Sequence, residues 1–333
     1  MHFPDLIPLS IFLLSGLALL ILILTGSVSY QMMHPPRLSA GVAAARGWWI
    51  DPSDAGLEYD EWGLLIEGKG EVPVWEINHP TDLDGPVLIL THDWGESKVL
   101  ALQRVAGLLP YVSRIVLWDL PGHGDAPAGS KCRLGGDEVV FLDELVTRTA
   151  EERPVILYGW GMGARLSLWT AVHHTLVQGT IINNPSGDYS FDIRKALHNS
   201  NIPRFIFEFL TSLVLRFFIG DLSEQEMERN ASRLGRPIMV FAGASEEGRG
   251  VATGHAVAER AAVSEFVEIE DNAEIALELS EGHSWVEKRF RDFIQACVAR
   301  SNQGRNGHSS STGTRRGSGS ASSIPVISDD SNL

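Results

Sequence analysis

Cysteine, basic charge and metal-binding spacings are all scarce in this chain, and each scarcity excludes something. Only two cysteines, Cys132 and Cys297, occur among 333 residues. They are far apart and belong to no CxxC or Cys/His pattern, so a disulfide-stapled secreted scaffold is excluded and no metal site is expected. Whether the two thiols pair is open at this stage. Acidic residues outnumber basic ones by 42 to 27, for a formal net charge of -15. Binding a phosphate backbone requires a basic patch, so no nucleic-acid partner is expected, and the acidity reads as a solvated surface. No cofactor-binding pattern stands out, and none is expected.

Charge is also absent between Asp5 and Arg37, and Leu6 to Thr25 are almost wholly apolar. About 20 apolar residues rising 1.5 Å each cover the roughly 30 Å hydrocarbon core of a bilayer. A cleaved signal peptide would carry a positive n-region, which Met1 to Asp5 lack, and a buried core helix would be shorter and less uniform. Residues 1–30 are therefore expected to form a single-pass transmembrane anchor whose partner is the lipid bilayer. Arg37 and Arg46 follow the span, which places the globular part on the cytoplasmic side by the positive-inside rule. Export by a signal anchor is the alternative. Residues 31–57 read as a linker. The tail over 300–333 is rich in Ser and Gly with little to bury, and is expected to be disordered.

Between them, residues 58–299 alternate strand and helix patterns. Gly63–Glu67 and Val72–Ile77 read as a hairpin around Gly68-Lys69-Gly70. Short apolar runs then recur at Val87–Leu90, Ile115–Trp118, Val155–Tyr158, Thr180–Asn183 and Pro237–Gly243. Helical stretches near Val99–Leu109, Asp137–Thr149 and from Met162 separate them. This is the pattern of an α/β fold with a mostly parallel sheet covered on both faces, whose active residues belong at the carboxyl ends of the strands.

Those strand ends carry the motifs. His92-Asp93-Trp94-Gly95 follows the first parallel strand and Asp119-Leu120-Pro121-Gly122-His123-Gly124 the second. Gly159-Trp160-Gly161-Met162-Gly163 follows the third, and Gly282-His283-Ser284 opens the last amphipathic stretch. In this order they resemble the α/β-hydrolase family, whose nucleophile elbow reads G-x-S-x-G. Here Gly161 stands where that family has its serine. Asp93 is a second departure, where the family carries His-Gly beside its oxyanion hole. The resemblance implies His283 as the base, Glu246 as the acid that orients it, and the backbone amides of Trp94 and Met162 as oxyanion donors. Glu247 and Asp188 are alternative acids.

About residues 187–233 stand where many family members insert a cap. Ile202–Ile219 is aromatic-rich, and its polar residues Arg204, Glu208, Ser212 and Arg216 recur every four positions, leaving most of a helix circumference apolar. It is expected to be a cap helix packed over the sheet, with a helix resting in the membrane interface as the alternative.

Two functions fit these residues. Without a nucleophilic hydroxyl a triad retains only about 10³–10⁴-fold catalysis over water. The first expectation is therefore a membrane-anchored pseudoenzyme that binds a small molecule or a protein. The second is an esterase- or lipase-like hydrolase in which His283 and a carboxylate activate water above Gly161.

Overall fold

The computed structural model describes residues 3–38, 40–81, 83–186, 189–199, 202–220, 226–243, 249–269 and 285–311. The chain opens with helix α1 (Phe3–Met33), then α2 (Ala40–Ala45) and a 3₁₀ turn (Pro52–Ala55). The hairpin β1 (Tyr59–Ile66) and β2 (Gly70–Asn78) follows, in the register Tyr59 to Ile77. After β3 (Val87–Thr91) come the short helices α3 (Lys98–Leu102) and α4 (Val105–Leu108), β4 (Arg114–Trp118) and α5 (Glu138–Ala150). Next are β5 (Val155–Trp160), α6 (Met162–His173) and β6 (Val177–Asn183). Helices α7 (Tyr189–Asn199), α8 (Arg204–Ile219) and α9 (Met227–Arg233) precede β7 (Ile238–Gly243). Helix α10 (Arg249–Arg260), β8 (Ser264–Ile269) and α11 (Trp285–Ser311) complete the described chain.

The eight strands form one sheet in the order β1-β2-β4-β3-β5-β6-β7-β8. Strand β2 runs antiparallel to β1 and β4, and every pairing from β4 through β3 to β8 is parallel. The order turns around β3, which has β4 on one side and β5 on the other. A crevice opens at such a switch point, outside the carboxyl ends of the strands.

Strands buried on both faces need apolar residues at successive positions, and β3, β5 and β7 are buried along their whole length. Val87 and Ile89 join one core with α5, α6 and the cap, while Leu88 and Leu90 join the other with α3, α4 and α11. Burial of each such side chain contributes about 1.5–3 kcal/mol before the entropy of ordering it is set against that gain. Cys132 belongs to the first core and Cys297 to the second; both are buried and unpaired, with the sheet between them.

Three expectations change. The supposed linker over 31–57 is a docked strap. Leu38, Trp48, Trp49 and Ile50 pack on the second core and Ala43 is fully buried. Arg37 donates to the carbonyls of Gly124, Ala126 and Pro127, the last two at 2.5 and 3.2 Å. The apolar residues that a free linker would expose find a place here. The helical stretch expected near Val99–Leu109 is broken into α3, α4 and a 3₁₀ turn at Leu109–Tyr111. The last helix runs to Ser311, past the boundary expected at residue 300. Residues 312–333 lie outside the described residues.

The stretch expected to form a cap holds α7, α8 and α9. Helix α8 packs against both α7 and α1, and Thr25, Val28, Ser29 and Met32 of α1 are buried. Among the described residues α1 is the one helix long and apolar enough to cross a bilayer.

Candidate functional site

The site is built from the ends of β3 and β5. Strand β5 delivers Gly161 into a sharp turn with φ 56° and ψ -119°, after which α6 begins at Met162. Few side-chain-bearing residues adopt this left-handed geometry, so the turn is strained for anything but glycine. Gly163 is required for a different reason. A Cβ there would lie 2.0 Å from the carbonyl oxygen of Thr91, because α6 starts hard against the end of β3. The elbow inferred from Gly159 to Gly163 is therefore present in full shape, with no hydroxyl on it.

Asp93 occupies the place of that hydroxyl. Its Oδ1 accepts hydrogen bonds from the backbone amides of Trp94 and Met162, each at 2.7 Å. These are the two amides expected to form the oxyanion hole, and they do converge. What they hold is the protein's own carboxylate. A Cβ built on Gly161 would fall 2.0 Å from the Asp93 carboxyl carbon and 2.2 Å from Oδ1. The two departures from the family pattern are thus a single arrangement, in which the carboxylate fills the space that the missing side chain leaves.

Glu96 completes this corner and was not foreseen. Its Oε2 accepts from the Trp160 indole at 2.5 Å and from the Asp93 amide at 3.3 Å. Burial first, and then the nearby Asp93 charge, push its pKa up, with Arg104 and the indole bond opposing. The Arg104 guanidinium stacks over the Trp160 ring at 3.9 Å. A second carboxylate three residues after Asp93 was the available signal, but only the fold shows that it turns back under β5.

The neighbouring loops are held by buried polar pairs. His92 donates from Nδ1 to the Asp93 carbonyl at 2.7 Å and accepts at Nε2 from the Leu120 amide at 3.1 Å. With one nitrogen donating and one accepting, the ring is neutral, and burial lowers its pKa to about 4. His123, edge-on to His92 with ring centroids 5.2 Å apart, is lowered to about 3 by burial and by that neighbour. Lys98 reaches Asp119 at 2.8 Å and Asp125 at 2.5 Å. Burial works against its charge, and the two carboxylates more than offset it, so its pKa is raised. Asp119 of the D-x-P-G-H-G turn is therefore a clamp that ties the β3 and β4 loops together. Above them, the Trp94 indole donates to the Met32 carbonyl at 3.0 Å, so the end of α1 closes over the loop.

His283 and Glu246, with the alternative acids Glu247 and Asp188, lie outside the described residues. Of the expected site residues the fold brings together Gly161, Trp94 and Met162, with Asp93 at their centre. Among the described residues no group of His, Cys, Asp and Glu could hold a metal ion.

Residues 87–296 match the alpha/beta hydrolase family. The chain belongs to that family. It is 32% identical over 89 residues to a pimeloyl-[acyl-carrier protein] methyl ester esterase of Vibrio campbellii, a match covering 27% of this chain and 32% of that protein. The corresponding esterase of Vibrio vulnificus is 29% identical over 101 residues, or 30% of this chain and 36% of that one. The chain thus spans about a third of the length of these curated relatives. An esterase of Pyrococcus furiosus superposes with a TM-score of 0.59 at 16% identity, covering 80% of this chain and 98% of the other. A membrane phospholipase A does so with a TM-score of 0.53 at 15% identity, covering 88% and 99%. At such identities these structures share the fold alone. In this alpha/beta hydrolase Gly161 stands at the turn from β5 into α6, and the Trp94 and Met162 amides beside it are held by Asp93.

Proposed function

We propose that this protein is a membrane-anchored alpha/beta hydrolase that has given up serine-hydrolase catalysis and works by binding, as a pseudoenzyme for a small molecule or a protein. The observation that carries this reading is the Asp93 carboxylate seated on the Trp94 and Met162 amides at 2.7 Å. An oxyanion hole accelerates acyl transfer because its donors wait unengaged for a charge that develops only in the transition state. Donors already satisfied by a carboxylate offer a reacting carbonyl nothing, and a substrate oxygen would have to displace an anion to reach them. With no hydroxyl at Gly161, both the attacking group and the charge stabilisation of the family mechanism are out of use.

The membrane part of the proposal rests on α1, which bears no Lys, Arg or Glu and whose single acidic residue, Asp5, lies near its start. Arg37 and Arg46 follow it, and by the positive-inside rule they favour a globular domain on the cytoplasmic side over one exported by a signal anchor.

The test is hydrolysis of short-chain p-nitrophenyl esters by the purified full chain in detergent, beside its His283→Ala variant. Rates equal to background in both support the binding reading. Turnover by the native protein that His283→Ala abolishes would sink it, and would favour the water-activating hydrolase instead.

A further inference from the structure

Helix α8 turns an apolar face away from the protein. Phe207, Thr211 and Leu215 are buried, and Glu208 pairs with Arg194 of α7 at 2.8 Å. On the outer side Ile206, Phe209, Leu213 and Phe217 recur at steps of three and four residues and are 50%, 69%, 57% and 84% exposed. Phe218 adds a further 55% exposed ring beside them. A helix on a water-facing surface carries polar residues at those positions, so this face is built for a different surrounding.

What covers it follows from the helix it leans on. Helix α8 packs against α1. Among the described side chains of α1, Thr25, Val28, Ser29 and Met32 are buried and Ile21, Leu24 and Met33 pack against the core in part, so α1 meets the protein along its last third. Further back, Ile11, Phe12, Leu13 and Leu14 are exposed at consecutive positions, as on a helix that meets apolar surroundings all round. The stretch Leu6–Thr25 at 1.5 Å rise per residue is roughly 30 Å long, the thickness of a hydrocarbon core. After Ser15 the next polar residue is Thr25, and Ser27, Ser29 and Gln31 then follow at alternate positions. The edge of the bilayer then falls near Thr25, at the level where α8 meets α1.

We propose that α8 lies in the membrane interface, its exposed face sunk among the lipid headgroups and upper acyl chains, so that the protein holds the bilayer by a span and a surface helix together. A helix of this type buries its apolar face about 5–10 Å below the headgroup boundary. The candidate site then lies close beneath the bilayer, since Trp94 is bonded to Met32, about 10 Å along α1 from Thr25. The inference rests on reading α1 as a span, and the experiment separates the two.

The full chain is reconstituted in phosphatidylcholine vesicles with brominated or unbrominated acyl chains, carrying one substitution at a time: Leu17→Cys, Phe209→Cys, Phe217→Cys or, at the exposed opposite end of the sheet, Thr175→Cys. Each is labelled with a small thiol-reactive fluorophore and compared with the unsubstituted protein, whose Cys132 and Cys297 are buried. Brominated chains should quench the labels at 209 and 217 by about twofold or more, as at 17, and leave the label at 175 unaffected. Quenching at 17 without quenching at 209 and 217 overturns the interfacial placement and leaves the span intact. Absence of quenching at 17 as well overturns both. Labels at 209 and 217 shielded from both the lipid quencher and aqueous iodide would mean that a protein partner covers the face, which also overturns the proposal.

Discussion

The carboxyl carbon of Asp93 lies 2.0 Å from the point where any side chain on Gly161 would place its Cβ. Two atoms cannot share that space, so the residues at these positions are chosen together. Glycine at 161 permits the carboxylate to sit on the elbow amides. The carboxylate in turn prevents a serine from being restored by one substitution.

Gly161→Ser alone is therefore expected to lower stability by about 2–4 kcal/mol, from the left-handed backbone and from overpacking against Asp93 together. It should not react with a fluorophosphonate probe. Gly161→Ser with Asp93→Gly removes the clash and frees the Trp94 and Met162 amides. The double variant should regain part of the lost stability in urea unfolding and become labelled by the probe. A well-folded double variant that stays unlabelled would show that His283 and its acid no longer form a catalytic pair.

Arg37 should matter to the folded domain although it lies just past the end of α1. Its guanidinium donates to Ala126 at 2.5 Å and Pro127 at 3.2 Å. Arg37→Met should cost about 1–3 kcal/mol, because it leaves those carbonyls without their charged donor. Denaturant unfolding in detergent measures this, and an unchanged midpoint would mean that the segment after α1 is a free linker.

The two buried histidines set an acid limit on stability. A histidine whose folded pKa lies below its unfolded value contributes stability that is full above the unfolded pKa and is lost as pH falls through the folded one. For His92 that window runs from 6.5 down to about 4, and for His123 from 6.5 to about 3. Glu96 and Glu138, both raised by burial, act in the opposite sense, their contribution being full at low pH and lost as pH rises. The difference between variants isolates the histidine. His123→Asn should reduce the slope of unfolding free energy against pH by about 1 kcal/mol per unit between about pH 6 and 4. An unaltered slope would mean that His123 is not held neutral in the folded protein.

The sheet was largely readable beforehand. Val87–Leu90, Ile115–Trp118 and Val155–Tyr158 are continuous apolar runs, and a strand buried on both faces can have no other composition. Strand β8 (Ser264–Ile269) was missed because Ser264, Glu265 and Glu268 give it the mixed pattern of an edge. In the same way the strap after α1 read as a linker. Its tryptophans carry no periodicity, and what they pack on lies far away in the chain.

The chain alone shows that a strand ends in a glycine elbow without a serine, because the glycines, the apolar run before them and the helix after them are all local. It also shows the apolar span, whose length and lack of charge need no partner to be recognised. Where the Asp93 carboxylate points is a matter of long-range packing. The Met162 amide it accepts from is 69 residues away and comes within reach only when β5 pairs with β3. The same holds for α8, whose four polar residues mark a stripe but not which side meets the protein. Packing against α1 and α7 settles that orientation, burying Phe207 and leaving Phe209, Phe217 and Phe218 outward, because a helix buries the face that its neighbours can cover.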